Sequence, residues 1–102
     1  MQISEETKTL VQTALIAISQ ILLVFKHVNP FENTGHKYKG KCFEVEAYSW
    51  DDDDQKYNFK WRDIEVSWYK YLCRGMEVNR EVSEDEIKNM LLEIIKEIIV
   101  IE

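Results

Sequence analysis

Apolar residues near the start of the chain recur every three or four positions, which is the spacing of one face of an α-helix. Ser4 can cap the first turn and Asn29-Pro30 ends the pattern, so we predict a helix from Ser4 to His27. Further apolar residues widen the stripe, which predicts a helix buried on more than one side. The stripe comprises Leu10, Val11, Ala14, Leu15, Ile18, Leu22 and Phe25, and the widening residues are Ile16, Leu23 and Val24.

A loop and then two alternating runs follow this helix. Residues 30–40 lack periodicity and contain Asn33-Thr34-Gly35, which predicts a loop. Apolar and polar residues then alternate in Lys41–Trp50 and in Tyr57–Trp61, as in half-buried β-strands. The six residues between the runs predict a hairpin turn with four aspartates at its tip. In the first strand Phe43, Val45 and Ala47 share one face, and Glu44, Glu46, Tyr48 and Trp50 share the other.

The segment from Trp61 to Arg74 fits two patterns. As a strand, Ile64, Val66 and Trp68 alternate with polar residues. As a helix, a longer apolar stripe forms and Gly75 stands where a left-handed residue often ends a helix. The stripe would comprise Trp61, Ile64, Trp68, Tyr71 and Leu72. We predict a helix because the helical stripe is longer and ends cleanly.

The last twenty residues carry the clearest helical signal. After a short extended link, Met76–Val82, the sequence Ser83-Glu84-Asp85-Glu86 forms a capping box. A heptad-like seam then predicts a core or coiled-coil face. The seam comprises Ile87, Leu91, Ile94, Ile98 and Ile101. The predicted fold is therefore a single α+β domain, residues 1–102, with the order helix, two-stranded antiparallel hairpin, helix, helix.

Composition and charge narrow the range of partners. A chain of 102 residues with three Gly and one Pro has room for one core and for no long linker. Nineteen acidic and thirteen basic side chains leave a net charge of −6. This balance repels nucleic-acid phosphates and anionic membranes, and it attracts basic surfaces. We therefore expect a basic protein partner and no direct contact with nucleic acid.

The uncharged stretch from Thr9 to Phe25 must be tested as a membrane span. It is 17 residues long, includes five polar residues and follows Glu5-Glu6 rather than a basic segment. A span needs about 20 predominantly apolar residues, and a signal peptide needs a positive start. We therefore predict a buried core helix and no membrane contact. The two cysteines, Cys42 and Cys73, form no redox motif, which fits free thiols and a cytoplasmic protein.

Catalytic and metal-binding patterns are weak. His27, His36, Cys42 and Cys73 lack the close paired spacing of a zinc site, and the aspartate run lacks the glycine and distal glutamate of a calcium loop. The sequence has no phosphate-binding glycine loop and no nucleophile elbow. We therefore predict a non-enzymatic protein with no cofactor and no metal.

The leading hypothesis is a small acidic binding protein of the inhibitor, immunity or nucleic-acid-mimic type. Such a protein occupies a basic surface on its partner, as a phage or mobile-element antagonist of a nuclease or nucleic-acid-binding protein would. The aspartates would steer association, and two aromatic rings would anchor it. The predicted partner-binding residues are Glu44, Glu46, Tyr48, Trp50, Asp51, Asp52, Asp53 and Asp54.

Two alternatives stay open. The first is a dimer that binds a small molecule or nucleotide in an aromatic pocket. The pocket would be lined by Trp61, Trp68, Tyr71 and Arg74, with Arg80 as a further anion contact. The second is a structural oligomerisation subunit. A two-stranded hairpin and a short helix cannot cover two broadly apolar helices, which predicts a homodimer. Its interface would use Leu10–Phe25, the C-terminal seam of Ile87, Leu91, Ile94, Ile98 and Ile101, or both.

Overall fold

The computed structural model describes residues 3–31, 36–51, 54–69 and 75–99, with the backbone only for residues 48–51, 54 and 55. A helix opens the chain, a series of strands follows, and a second helix closes it. The elements are α1 (Glu5–Lys26), β1 (Lys37–Lys39), β2 (Phe43–Asp51), β3 (Asp54–Trp61), β4 (Ile64–Tyr69), β5 (Met76–Val78) and α2 (Glu84–Ile98).

The five strands form one antiparallel sheet in chain order, β1-β2-β3-β4-β5. Residues that pair across antiparallel strands point to the same face, so the register defines the two faces. Val45, Phe59 and Val66 align across the three central strands and are all buried. The buried face also includes Phe43, Ala47, Tyr57, Trp61, Ile64 and Val78.

Both helices cover this apolar face. Six α1 residues are buried, and Ile18 and Leu22 are completely inaccessible to solvent. In α2 the buried residues are Ile87, Met90, Ile94 and Ile98. Burial of one large aliphatic side chain contributes roughly 1.5–3 kcal/mol, so this layer supplies most of the favourable folding free energy. The opposite face of the sheet, here called the open face, carries no helix among the described residues.

The predicted order of helix, hairpin, helix, helix is wrong. The structure has two helices and five strands, and the segment predicted as a third helix instead contains β4, which occupies Ile64–Tyr69. Two segments predicted as a loop and an extended link contain the edge strands β1 and β5. The prediction failed because short edge strands have no periodicity of their own and form by pairing with longer neighbours.

A tight turn explains why β4 is a strand. Trp61 and Ile64 pair across the two-residue connection Arg62-Asp63, and Arg62 adopts a left-handed φ of 53°. The chain therefore reverses where a helix would have continued. Ile64 and Val66 then alternate onto the buried face, against residues of β3 that need the same cover. The period-two pattern prevailed because β3 offered a complete row of hydrogen-bonding partners.

Two carboxylates of α2 hold the turns at one end of the sheet, here called the turn end. Glu97 accepts hydrogen bonds from the Tyr38 hydroxyl at 2.9 Å, from the Cys42 amide at 2.7 Å and from the Lys41 amide. Gly40 leaves room for this carboxylate, because a Cβ atom there would overlap Glu97 Oε2. One turn earlier in α2, Glu93 accepts from the Trp61 indole at 2.9 Å and from Arg62.

Glu81 joins the start of α1 to the segment before α2. Its carboxylate accepts from the hydroxyl of Ser4 at 2.7 Å, from the Ser4 amide and from the Thr7 hydroxyl. Ser4 also caps α1 by accepting from the Thr7 amide. The hydrogen bonds from Thr7 and Ser4 hold the pKa of Glu81 below its ordinary value of 4.5. The ionised carboxylate is therefore the form that stabilises the fold.

We predict that Glu81→Gln lowers the midpoint of thermal unfolding by a few degrees at pH 7, because an amide accepts these bonds less strongly than a carboxylate. A lowered folded-state pKa contributes stability above the ordinary value of 4.5 and loses it as the pH falls below that value. The difference between the two proteins should therefore shrink on acidification. Circular dichroism melts from pH 7 to pH 3 measure it, with Glu77→Gln as the control. A difference that stays constant with pH would contradict this role.

Candidate functional site

Among the described residues, the β2–β3 hairpin extends past β1 and β4 at the end of the sheet opposite the turn end, here called the hairpin end. β1 pairs with β2 only over Glu44–Glu46, and β4 reaches along β3 only to Lys56. Beyond these positions β2 and β3 pair only with each other among the described residues, and Asp51 opposite Asp54 is the last pair. The register shifts between Ser49 and Asp51, so a bulge interrupts the strict alternation predicted for β2.

The aspartate run occupies the end of this hairpin. The backbones of Asp51 and Asp54 are described as a cross-strand pair, whereas Asp52 and Asp53 lie outside the described residues. The side chains of Tyr48 and Trp50 also lie outside them. Without the four aspartates the chain has fifteen acidic and thirteen basic side chains, a net charge of −2 instead of −6. Four of the six net negative charges therefore belong to this hairpin.

The open face of the sheet is balanced in charge. Glu44 lies between Lys39 and Lys60, and Glu46 lies between Lys37 and Asn58. Along the next strand, Glu65 pairs with Lys60 at 3.6 Å. Opposite charges on directly facing residues attract and offset each other. Glu44 and Glu46 therefore lie among lysines, and the negative charge does not extend from the hairpin across the sheet.

Several other carboxylates are bound within the chain. Asp63 and Glu86 both pair with Arg80, at 2.9 Å and 3.0 Å, and the Arg80 hydrogen bonds lower the pKa values of both acids. Glu81, Glu93 and Glu97 hold the contacts of the turn end and of α1 described above. These acids have structural partners. The four adjacent aspartates of the hairpin form the longest run of acidic residues in the chain.

A groove of about 470 Å³ lies between α1 and the sheet, and is here called the α1–sheet groove. Phe31 and Trp68 flank Tyr57 on one wall, with ring centroids 6.1 Å and 6.2 Å from the Tyr57 ring. The described lining has no charged residue. It comprises Leu15, Ile16, Ser19, Gln20, Leu23, Asn29, Phe31, Tyr57 and Trp68. Asn29 and Phe31 were not predicted as site residues, because Asn29-Pro30 was interpreted only as the end of a helix.

The residues predicted to bind a small ligand are not brought together where the structure describes them. Trp68 lines the α1–sheet groove, but Trp61 is buried at the turn end, with its indole bound to Glu93. Tyr57 faces Trp68 and lies four residues from Trp61 along β3, a separation of about 13 Å. Arg80 lies beyond β5, between Asp63 and Glu86. Tyr71 and Arg74 lie outside the described residues.

Where the structure describes them, most of the residues predicted for an oligomer interface on α2 lie in the core. Ile87, Ile94 and Ile98 are buried within the chain, Leu91 is partly buried, and Ile101 lies outside the described residues. The five-stranded sheet offers more apolar surface than the predicted hairpin did, so α2 finds its cover within one chain. Among the residues whose side chains are described, the large apolar ones that remain exposed are mainly on α1. They are Ile16, Leu23, Val24 and Phe25, with Leu92 on α2.

The homodimer remains a prediction, and α1 is where the structure allows it to be tested. Val24 is 65% exposed, so Val24→Lys leaves the core intact and adds a charge to the apolar surface. We expect the wild-type chain to scatter light as a dimer at micromolar concentration and the variant to scatter as a monomer. Leu92→Lys on α2 is the control and should stay dimeric. A wild-type monomer would contradict the prediction, whereas Ile94→Asp would now test folding rather than assembly.

Cys42 is the one cysteine among the described residues, and its thiol is poorly suited to nucleophilic chemistry. Burial, with a smaller contribution from the Glu97 carboxylate, raises its pKa from 9.0 to about 11. The same causes raise the pKa of Tyr38 to about 12. No group of three or more His, Cys, Asp or Glu residues that could hold a metal ion occurs in the described ranges.

We predict slow alkylation of Cys42 in the folded protein. A pKa raised from 9.0 to about 11 lowers the thiolate fraction at pH 8 about 100-fold, and the thiolate is the reactive form. Iodoacetamide labelling of a Cys73→Ser variant, followed by mass spectrometry, measures the rate in buffer and in urea. Glu97→Gln should speed labelling, because it removes a nearby negative charge. Equal rates in buffer and in urea would contradict the assignment.

By length and composition α1 could cross a membrane, although the core helix of a water-soluble protein meets the same test. In this structure Val11, Leu15 and Ile18 of α1 are buried in the core cluster that also contains residues of the sheet and of α2. Comparison of the chain with protein families, with curated proteins and with solved structures gave no significant match. Function must therefore be argued from the hairpin end and the groove beside it.

Proposed function

We propose that the protein is a non-catalytic binding module that uses the acidic β2–β3 hairpin to occupy a basic surface on a protein partner. The observation that carries this proposal is the coincidence of shape and charge at the hairpin end. The hairpin extends past β1 and β4 where the neighbouring strands are described, and its sequence holds four of the six net negative charges.

The distribution of the other charges supports this assignment. Carboxylates at the turn end bind backbone amides, hydroxyls and arginines of the chain itself. Those of the open face lie beside lysines. A basic partner that approaches the protein is therefore attracted most strongly to the hairpin, since charges that are already paired contribute little to the field at a distance.

Such a hairpin attracts the partner and sets its orientation in the complex, and it adds little to the affinity. Exposed charge pairs contribute little stability individually, but complementary potentials raise the association rate and exclude acidic partners. Inhibitors, immunity proteins and nucleic-acid mimics use this arrangement against enzymes with cationic sites. The proposed contact uses fewer residues than the sequence predicted. Glu44 and Glu46 lie among lysines and take no independent part in it.

The test replaces Asp51, Asp52, Asp53 and Asp54 with Asn and measures association with a partner captured on the immobilised wild-type protein from a lysate of the source cells. We expect the association rate to fall about 10- to 100-fold at low salt, because the steering field is removed. The loss should shrink as salt increases, because ions screen exposed charges. Surface plasmon resonance at several salt concentrations measures both effects.

A second variant controls for total charge. Glu6, Glu77, Glu84 and Asp85 are exposed and lie away from the hairpin, and their conversion to amides removes the same four charges. This control should retain most of the association rate, and thermal melts should show both variants folded. Equal rates for the hairpin variant and the wild type at low salt would overturn the proposal. An equal loss in both variants would assign the effect to net charge rather than to the hairpin.

A further inference from the structure

Charge at the hairpin end attracts a basic partner but adds little to the affinity of the complex. Most protein–protein contacts obtain their affinity from a few large side chains that are buried in a pocket at the centre of the interface. A contact through the aspartates therefore needs an apolar surface beside the hairpin. The α1–sheet groove lies at that end of the sheet, and its described side chains supply such a surface.

The buried part of the groove lining is apolar and aromatic. Leu15, Phe31 and Tyr57 line the groove and are buried in the folded chain. Trp68 meets the Tyr57 ring edge to face, with the ring centroids 6.2 Å apart, and is only partly buried. The volume of about 470 Å³ lies within the range of small-molecule sites, roughly 300–1,000 Å³, so a large aromatic side chain fits.

Two exposed apolar residues of α1 form the rim of the groove. Ile16 is 47% exposed and Leu23 is 50% exposed, and both line the groove. They lie seven residues apart, about two helical turns, so both project from the same flank of α1. Single exposed apolar residues are common, but exposed apolar residues around an apolar depression mark a contact surface. The groove is therefore suited to receive a side chain from a partner.

The position of the groove relative to the aspartates sets the spacing of the partner's residues. Tyr57 follows Asp54 by three residues along β3, a separation of about 10 Å. Two residues of an extended chain span about 7 Å, and a lysine or arginine side chain reaches several Å further. Basic residues within two positions of an inserted side chain therefore reach the aspartates.

We propose that the α1–sheet groove receives one large aromatic or aliphatic side chain of the basic partner, from a segment in which lysine or arginine residues flank that side chain. The inference rests on the proposed function and adds the contact that holds the partner after the aspartates have attracted it. A second copy of the chain fits this position less well, because two copies that each carry a charge of −6 repel each other. The dimer tested through Val24 would use another flank of α1, since Val24 lies about 100° around the helix from Leu23.

Two synthetic pentapeptides serve as the probes. One has tryptophan between two pairs of lysines, and its matched control has alanine in place of the tryptophan. The full chain, labelled with ¹⁵N, is titrated with each peptide and followed by nuclear magnetic resonance. The tryptophan peptide should shift the signals of Leu23 and of the Trp68 indole. It should bind about 10-fold more tightly than the alanine peptide, because it buries one large apolar side chain more.

Leu23→Gln tests whether the groove causes this preference. The substitution places a polar amide on the rim and should reduce the preference for the tryptophan peptide to about 2- to 4-fold. Leu92→Gln makes the same change at a position of α2 that is 55% exposed and does not line the groove, so it should keep the wild-type preference. Thermal melts establish that both variants fold. If Leu23→Gln fails to fold, the affinities and shifts of the two peptides on the wild-type protein still decide.

Equal affinity for the two peptides would overturn the proposal, and so would a preference that Leu23→Gln leaves unchanged. Shifts confined to residues outside the groove would also overturn it. Signals of Leu23 and Trp68 that move with protein concentration in the absence of peptide would overturn it in favour of a second copy of the chain in the groove.

A separate variant distinguishes failure of the groove contact from failure of the hairpin proposal. Replacement of Asp51, Asp52, Asp53 and Asp54 with Asn should weaken both peptides by the same factor at low salt and leave their ratio unchanged. If this variant binds both peptides as the wild type does, the hairpin proposal fails while the ratio still measures the groove contact. If the ratio is one but both peptides weaken, the groove contact fails and the hairpin proposal stands.

Discussion

Burial of one face of the sheet is the constraint on which the rest of the structure depends. The apolar residues of β2, β3 and β4 align in register on a single face, and α1 and α2 both pack there. Both helices lie on that side, and on the opposite face lysines and glutamates alternate across the strands. The same arrangement places most of the α2 seam in the core, which removes the reason for expecting a dimer through that helix.

Carboxylates serve two different purposes in this acidic chain. Some accept hydrogen bonds from backbone amides, hydroxyls and an indole where helices meet turns, as those of Glu81, Glu93 and Glu97 do. Such charge-assisted bonds are stronger than neutral ones and order the connections between elements. Net charge therefore overstates how much of the surface is available to a partner. The aspartates of the β2–β3 hairpin form the longest acidic run in the sequence.

The acidic hairpin and the α1–sheet groove both lie at the hairpin end of the sheet. Tyr57 and Trp68 pair across β3 and β4 near that end, and Leu23 of α1 lines the groove with them. The groove and the acidic hairpin are thus neighbours at one end of the sheet, while the turn end is occupied by internal contacts.

The amino-acid sequence by itself determined both terminal helices and the two long strands. Their periodicity is sustained, and the capping box of Ser83 and Glu86 is present in the structure. It also located the excess negative charge, because the aspartates are adjacent in the chain. Only the tertiary structure decided β1, β4 and β5, since these segments become strands by pairing with neighbours. It also decided which carboxylates are bound internally and that Asn29 lines a groove with Trp68, because those contacts join residues far apart in the chain.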